Sequence, residues 1–541
     1  MEILKIEDLT FAYPGCERNA VDHVSLSVDE GEFAVICGTT GSGKSTLMRL
    51  IKRELAPLGN KSGRILFRGV ETDTLDAETA ACRIGYVMQY PEQQIVTDKV
   101  WSELAFGLEN MGLPTDAIRR KAAEISEYFG IEPWFDRSVS ELSGGQKQLL
   151  CLASVMIMEP DILLLDEPTA QLDPISASEF LHTVYKLCRD LSLTVICIEH
   201  RLEDVIPLSD RLFALDGGKV AVSGGTRDAL KRMAENASLV PSLPTPVKVY
   251  AALGCEDCPV TINEGRRMVG EYGNAVDDLR EEEYTVPKEI SLEFRNTFFR
   301  YGRELPDVIS GLDLKIGKGE IFGIVGGNGS GKTTLLSVAA GLYRPYAGSV
   351  KVSGKDVRDY KNGSLYKNCL SMLPQNVQTV FLKNTVREEL KGCDNGVGAV
   401  SFDFTPLLDM HPYDLSGGEQ QLVALAKVLS SDPRVLLLDE PTKWLDAESK
   451  TRIISILKRL KESGVTCVIV THDIEFAAAA CDRVAMLFRG EILSCGTPRS
   501  FFPGNGYYTT AAYRMTRGIF KNAVTPGDVI ELCRRNGRKK V

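Results

Sequence analysis

The chain has 541 residues, of which 44% are hydrophobic and 25% are charged, a balance that is ordinary for a globular protein. Its net charge of -10 argues against nucleic acid as the main partner. No apolar run approaches the roughly 20 residues that span a bilayer, and the N-terminus lacks a signal-peptide pattern, so we expect a soluble, cytosolic chain.

The first chemical motif follows a predicted strand at residues 33–37. The segment 38–45 fits the phosphate-loop pattern G-x-x-x-x-G-K-[ST], and a helix is predicted to begin directly after it. In such a loop, backbone N–H groups and the helix N-terminus surround phosphate oxygens. We expect Lys44 to reach the β- and γ-phosphates and Ser45 to hold Mg²⁺. The other nucleotide-binding residues predicted here are Gly38, Gly41, Gly43 and Thr46.

Two further motifs follow in the same half of the chain. Gln89 ends a short apolar run and is predicted to contact Mg²⁺ and the attacking water. Ser143, Gly144 and Gly145 stand at a predicted helix start, where they would form a second anion site. A single nucleotide on one domain does not need two such helix starts, whereas two domains that meet across the phosphates do.

Two strand ends carry the predicted catalytic groups. Asp166 and Glu167 follow the apolar run 162–165, and carboxylates at the carboxyl ends of parallel strands face the ligand crevice. We expect Asp166 to hold Mg²⁺ and Glu167 to polarise the attacking water. His200 ends the next apolar run, where a neutral imidazole could contact the γ-phosphate.

The segment between the halves contains Pro241, Pro244 and Pro246, which break any long helix. It also carries an acidic run at 277–283, interpreted as a solvated face. Cys255 and Cys258 lack a second ligand pair nearby, so reduced thiols are favoured over a zinc site.

The second half repeats every motif in the same order. The Lys44–Lys332 spacing is 288 positions, Gln89–Gln375 is 286, and Asp166–Asp439 is 273. The halves therefore share a fold and differ mainly between the glutamine and the Ser-Gly-Gly motif, where the second is 13 residues shorter. The matched residues, with the same predicted roles, are Gly326, Gly329, Gly331, Lys332, Thr333 and Thr334 in the loop; Thr333, Gln375 and Asp439 at the metal; Ser416, Gly417 and Gly418; and Gln375, Glu440 and His472 at the reacting centre.

One aromatic residue lies early in each half. Tyr13 and Tyr301 could stack on adenine, or they could be ordinary aromatics of a sheet core. The repeat divides the chain into a first domain at 1–237, a linker at 238–289, a second domain at 290–496 and a C-terminal extension at 497–541 with a basic end.

Together these motifs resemble the ATP-binding cassette (ABC) family of ATPases, over about residues 1–235 and 288–500. The resemblance implies an α/β fold with two tandem P-loop nucleotide-binding domains, each a mixed-sheet core plus a helical subdomain, with ATP and Mg²⁺ as cofactors. It also implies that the cassettes stack head to tail within one chain, so that each ATP lies between the loop of one half and the Ser-Gly-Gly signature of the other. Asp173 and Asp446 match the family's D-loop, whereas Trp444 and Glu419 depart from its usual residues.

A finer resemblance concerns energy-coupling factor transporters. The segment 88–94, Met-Gln-Tyr-Pro-Glu-Gln-Gln, is similar to their glutamine loop, and 507–515 looks like the C-terminal piece of their duplicated ATPases. This implies vitamin or metal-ion uptake at the cytoplasmic face of the cell membrane. The partners would be a transmembrane coupling protein and a small substrate-binding membrane subunit, with one chain per transporter.

Two other functions stay open. A soluble tandem ABC protein acting on the ribosome also has two cassettes, although such proteins tend to have a long, charged, helical linker. The fused ATPase of a sugar or nucleoside importer is the second, although one of its catalytic sites is often degraded, whereas both look intact here.

Overall fold

The structure is a computed structural model that describes residues 1–16, 18–272, 279, 284–443, 445–506 and 508–537. Trp444 lies outside the described residues. So does the predicted acidic run at 277–283, except Leu279, and so do residues 538–541 of the basic C-terminal end. Two compact units divide the chain: Met1–Lys248 with Glu256–Thr261, and Val249–Cys255 with Ile262–Val541. The predicted linker contributes to both units, and the predicted domain boundaries stay a prediction.

The described residues of the first unit form both strands and helices. The strands are β1 Glu2–Ala12, β2 Val21–Asp29, β3 Phe33–Gly38, β4 Asn60–Phe67, β5 Val70–Glu71, β6 Ile84–Val87, β7 Ile162–Asp166, β8 Thr194–Ile198, β9 Arg211–Asp216 and β10 Lys219–Gly225. The helices are α1 Lys44–Ile51, α2 Ala77–Arg83, α3 Pro91–Gln94, α4 Val100–Asn110, α5 Thr115–Tyr128, α6 Gly144–Met156, α7 Pro174–Leu191, α8 Leu202–Val205, α9 Thr226–Glu235 and α10 Thr245–Leu253, which runs into the second unit.

The described residues of the second unit repeat this order of strands, with 3₁₀ turns where the first unit has α2 and α3. Its strands are β11 Ile290–Phe299, β12 Ile309–Gly317, β13 Ile321–Val325, β14 Ala347–Val352, β15 Lys355–Asp356, β16 Leu370–Leu373, β17 Val435–Asp439, β18 Thr466–Val470, β19 Arg483–Phe488 and β20 Glu491–Gly496. Its helices are α11 Ile262–Gly270, α12 Lys332–Ala339, α13 Val386–Glu389, α14 Asp394–Val400, α15 Gly417–Leu429, α16 Ala447–Glu462, α17 Ile474–Ala480, α18 Pro498–Gly504, α19 Ala511–Thr516 and α20 Pro526–Asn536.

Each unit contains an antiparallel sheet and a larger, mostly parallel sheet. The first has the orders β2-β1-β4-β5 and β10-β9-β3-β8-β7-β6, and the second has β12-β11-β14-β15 and β16-β17-β18-β13-β19-β20. In each larger sheet the last strand, β10 or β20, is antiparallel to its neighbour. The central strands β3, β7, β8, β13, β17 and β18 are buried along their whole length, as their continuous apolar runs predict. The predicted α/β fold class is confirmed.

A buried layer in each unit fixes the phosphate-loop helix on the sheets. In the first, Leu47 and Met48 of α1 pack with apolar residues of both sheets. In the second, Leu335 and Leu336 of α12 occupy the equivalent core. Since one fully buried Leu contributes about 1.5–3 kcal/mol, this layer holds the loop that precedes each helix in a fixed place.

The helical regions between the glutamine and the signature differ between units, as the 13-residue deficit predicts. In the first, α4 has 11 residues and α5 has 14. In the second, α13 has 4 residues and α14 has 7. The shortening therefore removes helix turns and not only a loop.

The C-terminal extension packs on the segment that precedes the second cassette. Residues of α11, α19 and α20, including Val269, Met515 and Leu532, form a separate apolar core. Arg534 donates to the carbonyl of Ala252 at 3.0 Å. Across the described ranges, no helix is long and apolar enough to cross a membrane.

Candidate active site

Each phosphate loop joins a buried strand to a helix that begins at its lysine. Gly43 and Gly331, just before the lysines, have φ of 89° and 97°. A Cβ on Gly43 would lie 2.0 Å from the carbonyl oxygen of Ala20, and one on Gly331 would lie 2.8 Å from that of Val308. Glycine is required at both positions because the backbone is left-handed and closely approached.

The two lysines curl back over their own loops. Lys44 Nζ donates to the carbonyls of Gly38 at 3.0 Å and Thr39 at 2.8 Å. Lys332 Nζ makes the matching bonds to Gly326 and Gly327 at 3.0 and 2.9 Å. Both lysines are buried, so each loop places a fixed positive charge beside the backbone amides. This arrangement suits a polyphosphate.

The two strand-end aspartates have different partners. Asp166 accepts hydrogen bonds from Ser45 Oγ at 2.9 Å and from the Tyr86 hydroxyl at 2.8 Å. Both carboxylate oxygens of Asp439 are buried, and no well-aligned hydrogen bond from the described residues reaches them. Burial raises the pKa of Asp439 to about 6, although the interaction of its carboxylate with the Thr333 hydroxyl opposes the shift. A buried carboxylate with so little hydrogen bonding fits a cation, because a poorly compensated anion is costly inside a protein.

The residue after each aspartate has a strained backbone. Glu167 and Glu440 have φ of 47° and 51°, in the left-handed region that non-glycine residues rarely adopt. Their N–H groups bond to the carbonyls of Ile198 at 3.1 Å and Val470 at 2.8 Å. Because the neighbouring strand fixes each glutamate in this conformation, the strain is built into both sites, a common feature of functional sites.

Histidine contacts the glutamate in both units. His200 Nε2 lies 2.9 Å from Glu167 Oε1, and His472 Nδ1 lies 2.9 Å from Glu440 Oε2. Burial favours a higher pKa for each glutamate, but the histidine and the loop lysine outweigh it and lower the pKa of Glu167 and Glu440. Both glutamates are therefore held as carboxylates, the form that can polarise a water molecule.

The two predicted glutamines are placed differently. Gln89 Nε2 donates to Glu167 Oε2 at 2.8 Å, so the first unit brings Gln89, Glu167 and His200 together. Gln375 is exposed, and no hydrogen bond joins it to Glu440 in the described part of the chain. The matched position in sequence therefore does not give a matched contact.

The signature residues cap the helices α6 and α15. The Ser143 hydroxyl accepts from the N–H of Gln146, and the Gln146 side chain accepts from the N–H of Ser143 at 2.9 Å. Ser416 and Glu419 form the same capping box, with the Ser416 N–H bond also 2.9 Å long. Glu419 thus keeps the geometry that a glutamine gives and adds a negative charge beside the signature.

The early tyrosines contact the phosphate-loop helices. The Tyr13 hydroxyl lies 3.0 Å from Thr46 Oγ1, and the Tyr301 hydroxyl lies 2.8 Å from Thr334 Oγ1. Each ring is also edge-on to a phenylalanine of its strand, at 5.1 Å between centroids. The structure therefore places both tyrosines beside their loops.

Some residues around the site escaped the sequence analysis. Tyr86 went unnoticed because the residue in register in the second half is Met372. Glu103 and Glu389 are both buried, and each accepts two backbone N–H groups of the segment after its glutamine loop, Val96 with Thr97 and Leu382 with Lys383. Their spacing of 286, equal to that of the glutamines, was a signal that could have found them.

These sites define a P-loop nucleotide hydrolase with a duplicated nucleotide-binding domain. The ABC transporter family matches residues 21–170 and 309–443, more than half of the chain, and the protein belongs to that family. It is therefore an ATPase with two tandem ATP-binding domains.

Relatives match the chain over nearly its full length. A Bacillus cereus protein provisionally named an ABC transporter ATP-binding protein is 38% identical over 541 residues and covers 98% of both chains. A Methanosarcina acetivorans protein with the same provisional name is 33% identical, covering 92% of this chain and 85% of its own. The solved structure of the archaeal ribosome recycling factor aABCE1 with the stalk protein aP1 covers 91% of this chain and 90% of its own, with a TM-score of 0.57 at 22% identity, which shows a shared fold alone.

Proposed function

We propose that the chain is the ATP-hydrolysing subunit of an energy-coupling factor transporter and that both of its ATP sites are catalytic. Lys44 and Lys332 bind the phosphates, and Asp166 and Asp439 hold Mg²⁺ with the hydroxyls of Ser45 and Thr333. When bound, Mg²⁺ neutralises phosphate charge and orients the reacting phosphoryl group. Glu167 and Glu440 polarise the attacking water, and His200 and His472 orient them. The observation that carries the catalytic part of the proposal is the strained, histidine-paired carboxylate one residue beyond each strand-end aspartate.

Each ATP site is proposed to be composite. The first combines the loop, Asp166, Glu167, His200 and Gln89 with Ser416, Gly417 and Gly418. The second combines Lys332, Asp439, Glu440, His472 and Gln375 with Ser143, Gly144 and Gly145. The N-termini of α6 and α15, which begin at these signature residues, support this, because the N–H groups and the dipole at a helix N-terminus favour an anion. Tyr13 and Tyr301 are proposed to stack on adenine.

The glutamine loop of the first unit is connected to the signature helix. Glu92 of α3 pairs with Lys147 of α6 at 3.2 Å. Gln94 accepts from the N–H of Met88 at 2.8 Å, which ties the loop end back to its own strand. Since Gln89 contacts Glu167, this loop can carry a change at the reacting centre to the helical region and to a partner bound there.

Two features favour a transporter over a ribosomal protein. The full-length relatives are provisionally named transporter ATP-binding proteins. The described part of the segment between the cassettes also forms two helices of nine residues, α10 and α11, where a ribosomal protein would tend to have one long charged helix. The experiment that separates the two functions is purification of the tagged chain from native membranes. We expect a transmembrane coupling protein and a small membrane subunit to co-purify in the presence of detergent. Ribosomes without membrane subunits would contradict the transporter proposal.

The helical regions are expected to bind two different helices of the coupling protein. The first region exposes Trp101 and Phe106 on α4, whereas the shortened second region exposes Leu382, Met410 and Tyr413. We expect that a chain with two copies of the first region, residues 90–142 replacing residues 376–415, still hydrolyses ATP but loses at least tenfold in transport, because one surface no longer fits its helix. Co-purification and uptake in proteoliposomes measure this.

The controls are two point variants, one on the surface of the first helical region and one at an exposed position outside both regions. Trp101→Asp should weaken assembly with the coupling protein, because a charge replaces a half-exposed aromatic residue that anchors an interface. Leu191→Asp, at an exposed position outside both regions, should not. Normal assembly and transport by the chain with two identical regions would show that the asymmetry has no role in partner recognition.

A further inference from the structure

We propose that Tyr86 is a positioning residue that holds Asp166, so that the site of the first phosphate loop needs more free Mg²⁺ to load than the site of the second. The proposal rests on the proposed metal role of Asp166 and Asp439. It adds a difference between the two sites that their shared motifs do not contain.

The backbone around the two aspartates is the same. Strand β6 pairs with β7 so that Tyr86 lies opposite Leu164, two residues before Asp166. Strand β16 pairs with β17 in the same register, with Met372 opposite Leu437, two residues before Asp439. The two sites therefore differ in the side chain at this position and not in the strands that carry it.

That side chain decides whether the carboxylate has a donor in addition to the hydroxyl of its phosphate loop. The buried Tyr86 hydroxyl donates to Asp166 Oδ2 at 2.8 Å, while Ser45 donates to Oδ1. The thioether of Met372 has no proton to donate, so Asp439 interacts with the Thr333 hydroxyl but has no well-aligned donor among the described residues.

A donor bound to the cation-free carboxylate opposes cation binding. Hydrogen bonds to a charged group stabilise it in the absence of the cation, and Tyr86 also occupies an oxygen lone pair that a metal-bound water would use. Asp439 lacks the donor that Tyr86 supplies to Asp166, so a cation relieves more of the cost of its buried charge. The second site should therefore load at a lower Mg²⁺ concentration.

The test measures nucleotide binding and not turnover, one site at a time, in the full-length chain. Lys332→Ala leaves the first site, and Lys44→Ala leaves the second. ATP with a fluorescent ribose label is titrated with Mg²⁺, and the midpoint is read from anisotropy. We expect the first site to have the higher midpoint, and Tyr86→Phe to lower it by about threefold to tenfold, since the hydroxyl alone is removed. Affinity for the labelled ATP in EDTA should not change.

Met372→Tyr is the reciprocal variant and should raise the midpoint of the second site. If it does not fold, Tyr86→Phe alone decides. An unchanged or higher midpoint in Tyr86→Phe would overturn the proposal, as would weaker binding at every Mg²⁺ concentration, which indicates a structural role only. Binding that is independent of Mg²⁺ in the parent chains would instead refute the proposed metal role of the aspartates, so the two failures are distinguishable.

Discussion

Changing Glu167 and Glu440 together to Gln is expected to stop steady-state ATP hydrolysis while ATP still binds. A neutral amide has almost the shape of the carboxylate but cannot polarise the attacking water, and this kind of catalysis contributes about 10²–10⁴-fold. The low pKa that His200 and His472 confer on these carboxylates would have no counterpart in the amides. Phosphate release over time, with binding of labelled ATP in parallel, measures the outcome.

The two single variants are the control for this loss. Each leaves one complete site, so each should retain activity, and the two should differ by no more than about tenfold, or ~1.4 kcal/mol of barrier. Undiminished hydrolysis by the double variant would remove Glu167 and Glu440 from the reacting centre. A single variant that no longer hydrolyses ATP would show that one site alone supplies the activity.

A second large effect should come from pairing loop and signature variants. Lys44→Ala and Ser416→Arg affect the same proposed composite site, so together they should leave about the activity of Lys44→Ala alone. The double variant Lys44→Ala, Ser143→Arg damages both sites, so its rate of ATP hydrolysis should lie at least about 100-fold below that of Lys44→Ala alone. The arginine fills the anion site at the helix N-terminus and removes a cap, at a cost of about 1 kcal/mol in stability.

The same pairing can be repeated from the other loop. Adding Ser143→Arg to Lys332→Ala should leave its remaining ATP hydrolysis unchanged, whereas adding Ser416→Arg should abolish it. Thermal unfolding of each double variant checks that folding is intact. If Lys332→Ala instead tolerated Ser416→Arg, in the same half of the chain, each site would lie within one cassette. The head-to-tail arrangement would then be wrong.

The sequence predicted the parts of the site that depend on local geometry. A strand, a glycine loop and a helix follow one another within 20 residues, so the positions of Lys44 and Lys332 could be read from spacing and from the φ that glycine permits. The aspartates at strand ends followed from continuous apolar runs. The signature serines at helix starts followed from capping preference.

Contacts between distant segments could not be predicted in the same way. The bond from Tyr86 to Asp166 joins residues 80 positions apart and depends on strand register. Gln375 shares a motif position with Gln89 but does not share its contact, and the chain continues as a 3₁₀ turn after Gln375 and as α3 after Gln89. The C-terminal extension packs on a segment more than 240 positions earlier, as in the bond from Asn522 to the carbonyl of Leu279, and nothing local indicates that pairing.

The number of ATP molecules held by one chain tests the central claim most directly. In the Glu167→Gln, Glu440→Gln variant, hydrolysis would not reopen the proposed cassette pair, so labelled ATP should remain bound through rapid gel filtration. Native mass spectrometry then counts nucleotides on a species of known mass. Two retained ATP molecules on a single chain are predicted. One ATP per chain, or two ATP molecules found only on a dimer of chains, would contradict two composite sites formed within one polypeptide.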